Sequence, residues 1–239
     1  MPIEEPLTLT GYFNVSRRAI PPLDLPKRVK QEYGRPKIMR VWLMLDEMWD
    51  DRTDEYRFDD LINKDYYAGD TVKARYSVAG VPNGTTYYQY LDSAGRHNDA
   101  LLLTIRGYEQ DVLKGLIPVE KWRQVFKAAL LHYKKRCPNL RYIEVLNEPT
   151  ARNQSYIGSM DNYYKFYKPA YQAVNEVSAE LRSESPLLVG GPTGFYQQKH
   201  VNVLIREFAR DEDPAKRLDF LSFHWYDNNA DLVAGMEDE

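Results

Sequence analysis

The segment from Leu146 to Pro149 places a side-chain amide, Asn147, directly before a carboxyl group, Glu148. It follows an apolar stretch at 142–146 that is typical of a buried strand. A carboxyl group at the end of a parallel strand can protonate a leaving oxygen, and a neighbouring amide can bind a sugar hydroxyl. Pro149 favours an extended backbone at Glu148 and so a defined end to the strand. Asn, Glu and Pro are also common in loops, so the plain start of a polar loop stays open as an alternative.

The elements that must position this pair alternate along the chain, a short apolar run followed by an amphipathic helical pattern. This alternation predicts βα units around a parallel sheet. The predicted strands lie at 7–15, 38–45, 100–105, 142–146, 187–189 and 220–223. The predicted helices lie at about 24–33, 85–94, 118–136, 162–181 and 201–209, with Asp161 as the cap of the fourth. Residues 46–84 form a long loop after the second strand, which is typical of a functional loop.

Composition excludes several classes of protein. The net charge of -3 and the lack of a basic face argue against nucleic-acid binding. No apolar run reaches the length that would span a bilayer, and the amino terminus shows no export signal. A single cysteine, Cys137, excludes an internal disulfide, and the four histidines show no metal-ligand spacing. The absence of a composition shift predicts one domain over residues 1–239.

Three segments agree in order and spacing with a known family. They are Leu-Asn-Glu-Pro at 146–149, Gly-Gly-Pro at 190–192 and Leu-Asp-Phe-Leu-Ser-Phe-His-Trp-Tyr at 218–226. Together they resemble the clan A retaining glycoside hydrolases, and most of all glycoside hydrolase family 39, which includes β-xylosidases and α-L-iduronidases. Arg40, followed by Asp46, Glu47 and Met48, is similar to the second-strand region of that family. The resemblance spans most of residues 7–228.

The resemblance implies a retaining O-glycosidase of the exo-acting type with a carbohydrate substrate and no metal or organic cofactor. Glu148 would be the general acid/base, and Asn147 would bind the hydroxyl next to the anomeric carbon. Arg40, His224 and Tyr226 would line the floor of the site. Two structural alternatives stay open, since His224 could be a satisfied core histidine and Arg40 could only pair with a strand carboxylate.

The family fold implied by the resemblance is a (β/α)₈ TIM barrel, which usually needs about 250 residues. The 239 residues here supply six predicted strands, so we expect an incomplete barrel that lacks strands seven and eight. The family's nucleophile is a Glu that ends strand seven. We therefore expect the nucleophile to lie outside this chain and the chain alone to be inactive.

The sugar specificity is a separate question. Trp42 occupies a stretch where the xylosidase-like members of the family have a His-Gly pair, and this departure weakens the prediction of xylosidase specificity. Two other functions stay open: an endo-acting polysaccharide hydrolase of the same clan, and a catalytically inactive carbohydrate-binding barrel. An open cleft would favour endo cleavage and a closed pocket would favour exo cleavage.

Overall fold

The computed structural model describes residues 12–14, 37–58, 87–152, 155–182, 186–195 and 198–224. The strands are β1 (Tyr12–Asn14), β2 (Ile38–Met44), β3 (Trp49–Asp50), β4 (Glu55–Tyr56), β5 (Ala100–Arg106), β6 (Leu140–Val145), β7 (Leu188–Phe195) and β8 (Phe220–His224). The helices are α1 (Leu45–Met48), α2 (Tyr87–Arg96), α3 (Glu109–Leu113), α4 (Val119–Arg136), α5 (Tyr164–Leu181) and α6 (Gln198–Arg210), with a 3₁₀ turn at Met160–Asn162.

Six strands form one parallel sheet in the order β1-β2-β5-β6-β7-β8. This is the α/β architecture with a parallel sheet that the alternating sequence pattern predicts. Within the described ranges the sheet is open, with β1 and β8 at its two edges, and closure into a barrel is not seen. No helix in those ranges is both long and apolar enough to cross a lipid bilayer.

The two faces of the sheet differ in chemistry because successive side chains of a strand point to opposite sides. On one face Val41, Leu103 and Ile143 are fully buried in the apolar cluster that also includes helix residues such as Phe126 and Phe166. On the other face the pairing places Trp42, Thr104 and Glu144 side by side. The helices therefore cover the apolar face, and the polar face is the one that carries candidate chemistry.

Helices α4 and α5 are joined by charge as well as by apolar packing. Glu176 of α5 accepts from Arg123 and lies 2.6 Å from Lys127 Nζ, both on α4. At the end of α4, Lys134 is buried and donates to the carbonyl oxygens of Pro138 and Leu140, at 2.5 and 2.6 Å. Such bonds satisfy carbonyl groups after the helix end, so part of the basic run at 134–136 has a structural role.

Strand β7 corrects the predicted end of the fifth strand at 187–189. It continues through the Gly-Gly-Pro segment to Phe195 and pairs with β8 over that length. A Cβ atom at Gly190 would lie 2.3 Å from the carbonyl oxygen of Phe220. Glycine thus allows the two strands to approach closely at the start of their pairing, where any side chain would collide.

Two further predictions on local structure are corrected, and one helix was not predicted. The first part of the loop predicted at 46–84 is ordered, because α1 covers its start and β3 pairs with β4 in an antiparallel hairpin. Helix α3 has no counterpart among the predicted elements. Asp161 does not cap α5: it lies in the 3₁₀ turn, where its backbone N–H donates to the Ser159 hydroxyl at 3.3 Å. The predicted helix at 24–33, most of the first predicted strand and residues 59–86 lie outside the described residues.

Candidate active site

Glu148 lies just beyond the carboxyl end of β6, in a backbone that is not extended. Its φ is +44°, and that of Leu146 is +63°. The backbone N–H of Glu148 donates to the carbonyl oxygen of Thr193 on β7 at 2.6 Å. This contact outweighs the preference for extended geometry that Pro149 was expected to impose. Left-handed backbone at a non-glycine residue costs about 1–3 kcal/mol and is concentrated at functional sites.

The loop after Glu148 folds back onto the strand end. Asn147 donates its backbone N–H to the Ser155 hydroxyl at 3.1 Å, and its carbonyl oxygen accepts from the Ser155 N–H at 3.1 Å. The N–H of Ile157 donates to the Pro149 carbonyl at 2.8 Å. The Asn147 side chain is buried as a result. These bonds hold the Asn-Glu pair in one place at the edge of the sheet.

Arg40 connects β2 to β6 from below this pair. Its Nε lies 2.6 Å from Glu144 Oε2, and its Nη2 donates to Asn147 Oδ1 at 2.8 Å. Thr104 donates its hydroxyl to the same Glu144 oxygen at 2.7 Å. Arg40, Glu144 and Asn147 are all buried, and the guanidinium and the carboxylate neutralise each other's charge in this buried environment. Arg40 therefore agrees with both interpretations of the sequence. It forms an ion pair with a strand carboxylate, and it also contacts the candidate site.

Trp42 lies between two guanidinium groups on the polar face. The Arg40 guanidinium carbon is 4.9 Å from the centre of the indole ring, and that of Arg106 is 5.8 Å away. These are cation–π distances. Trp42 thus links the Arg40 group to the end of β5.

His224 ends β8 and reaches Glu148. Its Nδ1 lies 2.8 Å from Glu148 Oε1, and the two side chains are largely buried. The structure thus gives His224 a polar partner at the candidate site, as a satisfied histidine would have, and its role in the site stays a prediction. Tyr226, predicted beside it, lies outside the described residues.

The sequence interpretation missed Glu144 and Thr104, which complete the group around Arg40. Glu144 did carry a signal, as an isolated charge inside an apolar strand. A charged residue that is buried in such a position is almost always paired, so the sequence predicts a partner of opposite charge for Glu144. The identity of the partner, 104 residues away in sequence, was not available from local pattern.

A cavity of about 310 Å³ opens beyond the ends of β2 and β5. Its lining residues are Asp46, Arg106, Gly107, Tyr108, Glu109, Gln110, Asp111, Arg152 and Tyr156. Asp46 follows β2, Arg106 ends β5, and Arg152 and Tyr156 belong to the loop after β6. The cavity therefore lies at the same edge of the sheet as Glu148.

No group of three or more His, Cys, Asp or Glu side chains among the described residues could hold a metal ion. Burial, followed by the charge of Asp92, raises the pKa of the Cys137 thiol to about 11. Cys137 is free and buried, and at neutral pH its thiol stays protonated and therefore unreactive.

Residues 105–237 match the family model of glycosyl hydrolases family 39. The chain belongs to this family. Among curated relatives, a β-xylosidase from Caldicellulosiruptor saccharolyticus is 35% identical over 77 residues, which are 30% of this chain and 14% of the relative. The matched residues of this chain include β6, Glu148, β7 and β8, but not Arg40 on β2.

Two solved structures are similar to the chain. One is the family 39 enzyme from Xanthomonas axonopodis pv. citri, with a TM-score of 0.49 and 15% identity over 90% of this chain and 40% of that one. The other is a conserved exported protein from Bacteroides fragilis, with a TM-score of 0.45 and 11% identity over 78% of this chain and 44% of that one. The chain thus spans less than half the length of each of these three relatives.

Proposed function

We propose that this protein is a retaining O-glycoside hydrolase of the exo-acting, β-xylosidase or iduronidase type, with Glu148 as its general acid/base. The observation that carries the proposal is the contact of 2.8 Å between Glu148 and His224 at the carboxyl end of the sheet, beside Asn147. We further propose that the parallel sheet is part of a single (β/α)₈ catalytic domain, since family 39 membership and the strand order β1-β2-β5-β6-β7-β8 both fit that fold.

A retaining enzyme needs two carboxyl groups about 5–5.5 Å apart. In the first step Glu148 gives its proton to the glycosidic oxygen while the second carboxylate attacks the anomeric carbon, and the covalent glycosyl-enzyme forms. In the second step Glu148 takes a proton from water, which attacks the same carbon and releases the sugar. The second carboxylate in this proposal is a Glu of a later strand in the family barrel, and none of the described residues is assigned to that role.

His224 positions the acid/base in this proposal. For Glu148 to donate a proton from Oε2, the hydrogen of their bond must be carried by Nδ1 of His224 and donated to Oε1 of Glu148, which requires the Nδ1–H tautomer of the ring. The bond fixes one carboxyl oxygen and leaves the other, Oε2, to face the glycosidic oxygen. General acid catalysis depends on such positioning before it depends on acidity.

Arg40 orients the amide of Asn147. Because Oδ1 of Asn147 accepts from Arg40, its NH₂ group is the end that can donate to a sugar hydroxyl. Glu144 balances the charge of Arg40, so the site gains an oriented donor without an unpaired buried cation. Tyr226 is proposed as a further residue of the floor.

The test is an assay of aryl β-xylosides and a panel of other aryl glycosides, on a polypeptide that carries both catalytic carboxylates. Proton NMR of the first product should show the same anomeric configuration as the substrate. Release of the opposite anomer would overturn the retaining mechanism. Sugar binding without turnover of any glycoside would instead favour the carbohydrate-binding barrel.

A further inference from the structure

Strand β7 carries one residue more than its neighbour β8 along the stretch where the two strands pair. Pro192 pairs with Ser222. The next pair joins Gly194 to Phe223, which leaves Thr193 between the two pairs. The φ of Thr193 is +48°, a left-handed conformation that is rare for a β-branched residue. Thr193 is therefore the extra residue of a β-bulge, a feature that is common next to active sites and changes the direction of groups on the strand.

The carbonyl group of Thr193 contacts the backbone of the acid/base. Regular pairing between β6 and β7 ends with Glu144 opposite Gly190. Beyond that point, the N–H of Glu148 donates to the Thr193 carbonyl oxygen at 2.6 Å. Glu148 is itself left-handed, so this hydrogen bond joins two left-handed residues that are not glycine. Such backbone persists only where the surrounding structure holds it, and at Glu148 the bulge is part of that structure.

The hydroxyl group of Thr193 contacts the opposite neighbour, β8. Its Oγ1 lies 3.0 Å from Oγ of Ser222, and either atom can be the donor. Ser222 and His224 are alternate residues of β8, so their side chains point to the same side of the sheet. One buried residue is therefore bonded both to Glu148 and to the strand that carries the histidine partner of Glu148.

The residues around the bulge are packed against the segment that leads into and out of the Asn-Glu pair. A Cβ atom at Gly191 would lie 2.0 Å from the hydroxyl oxygen of Tyr163, and that hydroxyl donates to the Val145 carbonyl at 2.8 Å. After the bulge, a Cβ atom at Gly194 would lie 3.7 Å from Cδ of Pro149. Glycine thus permits close approach on both sides, and the bulge is held in one position beside Glu148.

We infer that Thr193 is a positioning residue for the acid/base. Its carbonyl group holds the backbone of Glu148, its hydroxyl group holds the strand of His224, and together they set the contact between the two side chains. The inference rests on the proposed function, because this contact matters to catalysis only if Glu148 transfers a proton. Thr193 acts through Glu148 and His224, and small displacements of a catalytic group have large effects on rate.

The kinetic test uses a polypeptide that carries both catalytic carboxylates. Thr193→Val removes the hydroxyl group and nearly keeps the shape of the side chain. With poor leaving groups kcat should fall about tenfold at an unchanged KM, and activated aryl glycosides should lose less because they need little proton donation. Ser222→Ala removes the same contact from β8 and should give the same pattern. Thr193→Ser keeps the hydroxyl group and should retain most of kcat.

Two further variants sharpen the comparison. If the two hydroxyl groups act as one unit, the double variant Thr193→Val with Ser222→Ala should lose no more activity than either single variant. Thr53→Val is the matched control, since the Thr53 hydroxyl bonds Glu55 in the exposed β3–β4 hairpin. It should leave kcat and KM as they are.

A second measurement uses the full chain and needs no turnover. The ring nitrogen resonances of His224 report its hydrogen bond, and the other three histidines serve as internal references in the same NMR spectrum. Glu148→Gln, Thr193→Val and Ser222→Ala should each shift the His224 resonances. Thr53→Val should leave the resonances of all four histidines unchanged.

The inference is overturned if Thr193→Val and Ser222→Ala leave the His224 resonances unchanged, or if they lower activity equally for all leaving groups. Where Thr193→Val fails to fold, Ser222→Ala decides by the same criteria, because it does not touch the left-handed residue. Shifted His224 resonances, in a protein that hydrolyses no glycoside, would contradict the proposed function alone. Hydrolysis with retention that neither variant alters would contradict the role of Thr193 alone.

Discussion

Nδ1 of His224 lies 2.8 Å from Oε1 of Glu148, although 76 residues separate them in the chain. The contact joins the end of β8 to the exit of β6 across β7. Thr193 of β7 supports it from the middle, since its carbonyl accepts from the Glu148 N–H and its hydroxyl lies 3.0 Å from that of Ser222. Three neighbouring strands therefore determine the direction of one carboxyl group.

Replacement of the acid/base should separate substrates by leaving group. In a polypeptide with both carboxylates, Glu148→Ala should reduce kcat/KM for poor leaving groups by about 10²–10⁴-fold, the usual contribution of general acid catalysis. Activated aryl glycosides need little proton donation, so their first step should suffer less. Added azide should restore turnover and give a glycosyl azide of retained configuration. An equal loss on both substrate types, without azide rescue, would refute the assignment of Glu148.

Replacement of His224 should act through Glu148. His224→Ala removes the partner that orients the carboxyl group, and we expect kcat to fall about tenfold to a hundredfold with a shifted pH profile. His224→Asn can still hydrogen-bond the carboxyl group and should recover part of kcat. The histidine control is His200→Asn on α6, which should leave both kcat and the pH profile as they are. A change in stability alone, with an unchanged profile, would reduce His224 to a packing residue.

The Arg40–Glu144 pair should behave as a buried ion pair. Arg40→Met leaves the Glu144 carboxylate buried without its cation and should lower the free energy of unfolding by about 3–5 kcal/mol. The double variant Arg40→Met with Glu144→Met should recover much of that loss, because no uncompensated charge remains. Urea denaturation of the single and double variants measures both values. Equal instability of the single and double variants would mean that packing, and not charge, accounts for the loss.

The lowered pKa of Asp211 predicts how the free energy of unfolding depends on pH. Burial opposes ionisation of this carboxyl group, but bonds from Lys168, Tyr171 and Tyr164 outweigh it and hold the Asp211 pKa well below its ordinary value. An unfolded Asp has a pKa of about 3.9. The stabilisation is therefore complete well above pH 4 and is lost as the pH falls towards the folded-state pKa.

Asp211→Asn should accordingly cost about 2–3 kcal/mol at pH 7, the magnitude for hydrogen bonds to a buried charged group. The difference from the wild type should shrink as the pH is lowered below about 4. Asp161→Asn is the matched control, since Asp161 is an exposed partner of Arg206 and should contribute less than about 1 kcal/mol. Thermal unfolding of the three proteins from pH 3 to pH 7 gives the comparison, and a pH-independent difference for Asp211→Asn would contradict the interpretation.

The local sequence pattern was sufficient to predict much of the described fold. The apolar runs predicted β2, β5 and β6 to within two residues at either end, and the helical spacing after Pro118 predicted α4. The position of Glu148 at a strand exit could be read in the same way, since an apolar run stops there and polar residues follow. Hydrophobic periodicity and turn residues act over a few neighbouring positions, which is why the sequence alone determines them.

The partners of the site residues were decided only by the tertiary structure. Nothing near Arg40 in the sequence indicates that its guanidinium group bridges Glu144 and Asn147, and nothing near Glu148 indicates His224. The backbone of Glu148 also departs from the local preference of its neighbour Pro149 because of a bond to β7. Strand order and register bring together groups about a hundred residues apart, and a local pattern carries no information about register. The sequence by itself therefore determined which residue types stand at the strand ends, and the packed sheet decided which of them touch.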